Sequence, residues 1–243
     1  MQPGELSSGR APEPNLGPMR ASLRERGFAF VTGLPAGFDH LSFLRAFGHP
    51  QPQYGGARTM AITPKAGGED LYHSLSTQEL YPHTEAYEFE GPPPRYLALW
   101  CEKPADCGGG LTYLSDFWAF WHDLPPEFRR QVEGKRTQFS STPGLIADSL
   151  GVKPTAHAVA EEQADGHLLV RFSTRCMGND DPTLTELVAR FVEYDRRHRI
   201  SVRWSRRDLL IWDNHRIAHS RSSFEDRSRR LIRVWLDPAG PEA

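Results

Sequence analysis

His83-Thr84-Glu85 sets an imidazole and a carboxylate two positions apart, so an extended backbone turns both side chains to one face. Such a pair can hold a divalent metal. At this composition one His-x-Asp/Glu match is expected by chance, and this is the single one present, so its weight depends on a partner elsewhere. His219 is that candidate. It follows the strand signal Asp208-Leu209-Leu210-Ile211-Trp212 and the turn Asp213-Asn214-His215-Arg216. Two histidines and one carboxylate on one side of a metal leave positions open, the arrangement of non-haem Fe(II) oxygenases, whereas zinc sites are tetrahedral with softer or more numerous ligands. The plain alternatives are a surface His beside a surface Glu, and a buried, hydrogen-bonded His219 at a strand end. His73, His122, His157, His167 and His198 lack partners at ligand spacing and read as structural or exposed.

Bringing His83 and His219 together is work for a β core. Gly27–Val31, Tyr96–Cys101, His167–Ser173, Asp208–Trp212 and Arg230–Leu236 carry strand signals. Helices are expected over Ala21–Arg26, over Leu41–Phe47 with Asp39 as cap, and over Asp116–Trp121 and Pro126–Val132. The clearest helix runs from Pro182 to Arg199, with Leu184, Leu187, Val188, Phe191 and Val192 on one face. Residues 1 to 20, with four prolines and three glycines, read as a disordered leader, and 21 to 243 as one domain. Gly48 to Pro82 reads as loops framing a site, and Gly134 to His167, which has little signal, as a lid. Strands do not alternate with helices as a parallel doubly wound sheet requires. The expected fold is mainly β with flanking helices (α+β), built on a double-stranded β-helix or jelly-roll, cupin-like core.

With 29 basic against 31 acidic residues, nothing draws the molecule to nucleic acid or an anionic membrane, and the expected partner is a small molecule. The longest apolar stretch, Tyr96–Cys101, is far short of the roughly 18 residues a spanning helix needs, and no signal-peptide run opens the chain. Cys101, Cys107 and Cys176 are too few and too irregular for a disulfide framework. A cytoplasmic protein is expected.

Four strings, in order between about Leu23 and Leu236, resemble the TauD/TfdA superfamily of Fe(II)- and 2-oxoglutarate-dependent dioxygenases. They are Pro82-His83-Thr84-Glu85, Pro93-Pro94-Arg95-Tyr96-Leu97-Ala98-Leu99, Gly108-Gly109-Gly110-Leu111-Thr112 and Trp212-Asp213-Asn214-His215-Arg216-Ile217-Ala218-His219. Glu in place of the commoner Asp in the first motif is similar to the clavaminate synthase-like branch, which includes amino-acid hydroxylases. The resemblance implies His83, Glu85 and His219 as iron ligands, Thr112 as a hydroxyl contact to 2-oxoglutarate, and O2 as oxidant with release of succinate and CO2. It also implies an arginine on the far carboxylate of 2-oxoglutarate, a task for the planar guanidinium fork. Arg229, Arg230 and Arg233 all lie in the window. The pattern Arg-x-x-x-Arg-Val selects Arg229 with Arg233, which share a strand face, while an ungapped count selects Arg230. The substrate class implied is a free amino acid or a small derivative, its carboxylate held by Arg171, Arg175, Arg216 or Arg233. A zinc-dependent hydrolase or lyase on the same barrel would lack a recognisable motif such as His-Glu-x-x-His. A metal-free binding protein would have little reason to keep all three candidate ligands.

Overall fold

A computed structural model describes residues 14–53, 56–66, 74–139, 155–178 and 181–238 of the chain. Two antiparallel sheets carry the fold. The major sheet runs β1 (Phe28–Val31), β12 (Leu209–Asp213), β5 (Tyr96–Lys103), β14 (Arg230–Asp237) and β2 (His49–Pro50), with β3 (Thr59–Ile62) also paired to β14. The minor sheet runs β11 (Ile200–Val202), β6 (Thr112–Asp116), β13 (Ile217–Arg221) and β4 (Leu80–His83). Two short pairs stand apart, β7 (Arg136–Phe139) with β8 (Thr155–Ala158) and β9 (Ala160–Glu162) with β10 (Leu168–Val170). The mainly β architecture expected from the sequence is the one observed.

The unbroken apolar run of β5 follows from its position. Leu97, Leu99 and Cys101 join the core between the sheets with Leu114, Trp212, Leu231 and Trp235. Ala98 and Trp100 face the opposite side, which α1 (Leu16–Arg26) and α2 (His40–Leu44) cover with Met19, Leu23, Phe43 and Leu44. A strand covered on both faces has no solvent side to be polar on. Behind the minor sheet, α3 (Phe117–Asp123), α4 (Pro126–Val132) and α5 (Pro182–His198) form a third cluster around Phe117, Phe172 and Phe191. Asp181 starts α5 by accepting from the backbone N–H groups of Thr183 and Leu184. Leu184, Leu187 and Phe191 are buried, each contributing roughly 1.5–3 kcal/mol.

Three expectations need correcting. The first helix starts at Leu16 instead of Ala21, capped by Asn15, because Met19 and Leu23 lie one turn apart and both seat on the major sheet. Residues 16–20 are therefore helix rather than leader; residues 1–13 lie outside the described residues. The Gly48–Pro82 stretch contains β2, β3 and β4. Of the Gly134–His167 stretch, residues 140–154 lie outside the described residues and the rest includes β7, β8 and β9. Among the described residues, no helix is long and apolar enough to cross a membrane.

Candidate metal and cosubstrate site

His83 ends β4, and in the minor sheet it is registered directly opposite His219 on β13, with ring centroids 4.2 Å apart. Thr84 turns to the other side, where Phe172 donates to its Oγ1 at 3.0 Å and its own N–H donates to the Phe172 carbonyl at 2.9 Å. That alternation leaves Glu85 on the side of His83. Asn214 then fixes the Glu85 backbone: its Oδ1 accepts from Glu85 N–H at 2.7 Å, and its Nδ2 donates to the Glu85 and Pro94 carbonyls, both at 3.1 Å. The turn before β13 thus ties the two ends of the ligand set together. Candidate ligand atoms of His83, Glu85 and His219 all lie within 4.8 Å of one another.

The chemistry of these groups fits a divalent cation. Nδ1 of His83 donates to the Tyr81 carbonyl at 2.8 Å, which leaves Nε2 with its lone pair free. Among the described residues, Nδ1 of His219 is buried without a hydrogen-bond partner. Burial holds His83 down to about 4, with the Arg233 and Arg221 charges acting in the same direction, and holds His219 well below its ordinary value. Both rings are therefore neutral donors at neutral pH. Burial pushes the Glu85 carboxyl up, opposed by the Arg233 guanidinium, whose Nη1 donates to Oε1 at 2.5 Å. The other oxygen, Oε2, lies 3.9 Å from His219 Nε2.

Arg229 is 2% exposed, yet among the described residues its Nε has no partner and its Nη2 reaches the Gly110 carbonyl, at 3.3 Å. Among the described residues no carboxylate pairs with it. Burial lowers it to about 10, so it stays charged at neutral pH. A buried guanidinium with open donors is chemically suited to hold an anion. The glycine run beside it allows this approach: Gly110 has φ +70°, and a Cβ there would sit 3.0 Å from Arg229 Nε, while one on Gly109 would sit 2.4 Å from the Ser223 carbonyl. Thr112, next along, accepts from Trp204 Nε1 at 3.0 Å and keeps its own hydroxyl hydrogen to donate.

The other arginines separate clearly. Arg230 is exposed and pairs outward with Glu102, whereas Arg233 is buried against Glu85. The Arg229 and Arg233 alternation survives although the register of β14 on β5 shifts between Arg230 and Leu231. Arg171 is buried and donates to the Gly91 carbonyl at 2.7 Å; Arg175 lies over the Tyr81 ring at 4.3 Å. Arg216 is placed away from the three candidate ligands. It bonds Asp116 and the Arg24 and Glu25 carbonyls at the end of α1, lining a separate cavity of about 410 Å³ on the outer side. Two further residues escaped the sequence reading. Arg221, two positions after His219 and so on its face, donates to the Ser74, Ser76 and Gln78 carbonyls, and period-two counting from His219 would have found it. Gln53 bonds Arg233 and carried no signal at all.

The family model described as taurine catabolism dioxygenase TauD, TfdA family matches residues 7–235. No curated protein matches the chain. Among solved structures, asparagine oxygenase in complex with Fe(II), hydroxyasparagine and succinate superposes with a TM-score of 0.74 at 16% identity, covering 90% of this chain and 77% of that one. The non-heme iron oxygenase OrfP with Fe and α-ketoglutaric acid gives 0.66 at 18%, covering 90% and 78%. A taurine dioxygenase from Burkholderia xenovorans gives 0.68 at 19%, covering 95% and 84%. At these identities the likeness is one of fold.

Proposed function

We propose, from the premise that the chain belongs to the taurine catabolism dioxygenase TauD, TfdA family, that it is an Fe(II)- and 2-oxoglutarate-dependent oxygenase hydroxylating a free amino acid or a small amino-acid derivative. The observation that carries this reading is the convergence of His83, Glu85 and His219, two neutral imidazoles and one carboxylate with atoms within 4.8 Å. When bound, iron and 2-oxoglutarate supply the oxidising chemistry, with O2 divided between the succinate formed along with CO2 and a hydroxyl group on the substrate.

The chain's own part is binding, orientation and exclusion of water. His83 and His219 offer lone pairs because burial keeps them unprotonated. Glu85 would add a single negative charge, and three protein ligands would leave room on a divalent cation for the cosubstrate. Arg229 and the Thr112 hydroxyl take the far carboxylate of 2-oxoglutarate, a dicarboxylate matching a buried cation with open donors. Of the four candidate arginines for a substrate carboxylate, Arg233 is engaged by Gln53 and Glu85 and Arg216 by Asp116, which favours Arg171, whose buried Nε has no partner among the described residues, and Arg175, which lies over the Tyr81 ring. Trp212, with its ring 5.0 Å from that of His219, and Leu114, registered opposite His219, form dry walls beside the histidines. The amino-acid class is supported by the solved complexes of asparagine oxygenase with hydroxyasparagine and of OrfP with (3S)-hydroxy-L-Arg.

Succinate release is the test, measured with Fe(II), 2-oxoglutarate and O2 over a panel of amino acids, sulfonates and aryloxyacetates. Stimulation by one or more amino acids is expected. Coupled turnover with a sulfonate alone would overturn the substrate class, and equal activity with zinc and no 2-oxoglutarate would overturn the oxygenase reading.

A further inference from the structure

Gln53 lies in the Gly- and Pro-rich stretch after β2, a segment with no catalytic motif, and is nevertheless only 6% exposed. Every polar atom of its amide is engaged. Oε1 accepts from Arg233 Nε at 2.8 Å, while Nε2 donates to the Arg233 carbonyl at 3.0 Å and to the Arg58 carbonyl at 3.2 Å. The amide therefore holds one residue at both ends, backbone and side chain. Both polar groups of its own backbone are bonded, Gln53 N–H donating to the Ala57 carbonyl and the Gln53 carbonyl accepting from Gly56 N–H, both at 2.8 Å. The guanidinium so held lies 5.2 Å from the Trp235 ring and directs Nη1 at Glu85 Oε1.

The consequence falls on the two oxygens of Glu85. Oε1 is bonded to Arg233, and Oε2 is the one that faces His219 Nε2. A carboxylate with one oxygen tied this way presents the other alone to a cation, which keeps the remaining positions free for a chelating dicarboxylate and O2. We infer that Gln53 is a positioning residue: through Arg233 it fixes Glu85 as a one-oxygen ligand and so sets the affinity and geometry of the metal site. The inference deepens the oxygenase reading and rests on it. Outer partners of a metal-bound carboxylate change metal affinity by about 10–100-fold when removed. Because Gln53 acts through Arg233, its loss has little further effect once Arg233 is gone.

Co(II) is the probe, titrated into the purified apoprotein and followed by its visible absorption, with thermal melting of each variant as the check on folding. Gln53→Ala is expected to weaken Co(II) binding by about tenfold and to change the band shape. Arg233→Ala should weaken it at least as much, and the double variant no more than Arg233→Ala alone. Gln53→Glu retains the size and the acceptor for Arg233 Nε but adds a carboxylate competing with Glu85 for the guanidinium; it should also weaken Co(II) binding, and it stands in if the alanine variant fails to fold. Wild-type Co(II) affinity and spectrum in the folded Gln53 variants would overturn the inference, as would fully additive losses in the double variant. Absence of Co(II) binding by the unaltered chain would instead overturn the metal reading beneath it.

Discussion

On the outer side of the major sheet, under α1, Arg20, Arg95 and Arg216 line a cavity together with Asp213, and each has a partner at hand. Arg216 bonds Asp116 and two helix-end carbonyls, Arg95 pairs with Asp213 at 2.8 Å, and Arg20 donates to the Ala46 carbonyl. Between the sheets, Arg229 is buried more deeply but makes one long bond to a carbonyl. An underpaired buried charge costs several kcal/mol of folding free energy. The outer arginines answer to architecture, holding α1 and the Asp213 turn in place. On the proposed reading Arg229 answers to an anion that arrives later, and the same division separates Arg229 from its neighbour Arg230, whose charge meets Glu102 at the surface.

The largest effect should come from the interior carboxylate. Glu85→Ala removes a charged candidate ligand and takes the carboxylate away from the buried Arg233, so turnover should fall on the order of a thousandfold and metal binding should weaken with it. Isothermal titration with Fe(II) under anaerobic conditions checks this, and retained affinity would break the contrast. Next, Arg229→Ala should raise the KM for 2-oxoglutarate roughly a hundredfold, as loss of a bidentate charge-assisted contact implies, with a smaller change in kcat. Arg230→Ala, losing an exposed ion pair, should change it less than about twofold. Steady-state kinetics on the two variants decides whether the β14 alternation is assigned correctly.

The outer region should respond in stability and not in KM. Arg216→Ala should cost about 1.5–3 kcal/mol, a fall of several degrees in Tm for a chain of this size, with the 2-oxoglutarate KM unchanged. A shifted KM with an unchanged Tm would reverse the roles of the two regions. The smallest effect is a slope. His215, buried among Pro93, His167 and Arg95, is held by burial down to about 3 from 6.5. Between those values the unfolded chain takes a proton that the folded chain refuses, so this group's contribution makes stability fall as pH falls through the window. Burial pushes Asp213 up, which works in the opposite direction. The readout is therefore a difference: urea unfolding across the window should show a flatter decline for His215→Gln than for the unaltered chain.

What the sequence disclosed and what it hid follow the same physics. The convergence of His83, Glu85 and His219 was legible because ligand chemistry demands particular residue types at fixed spacing. β5 and α5 were legible because burial on two faces or one face leaves a plain periodic pattern. β2 and β3 were not, since two- and four-residue strands completed by pairing with β14 carry too few positions to show a period. Gln53 was hidden for a further reason: its role comes from two hydrogen bonds to a residue 180 positions away, and no local pattern encodes those. Arg216 could be read either as a substrate contact or as a holder of the turn before β13, because an Arg-rich chain offers guanidiniums near every motif, and only geometry shows that this one is bonded to Asp116.

The most direct test of an interior cation kept for 2-oxoglutarate is an anaerobic titration of the apoprotein, first with Fe(II) and then with 2-oxoglutarate, followed by visible absorption. The unaltered chain and Arg216→Ala should develop the same weak band at the same 2-oxoglutarate concentration, Arg229→Ala should need far more, and Glu85→Ala should form little or none. A band in Arg229→Ala at the wild-type concentration, or no band in the unaltered chain, would contradict the account.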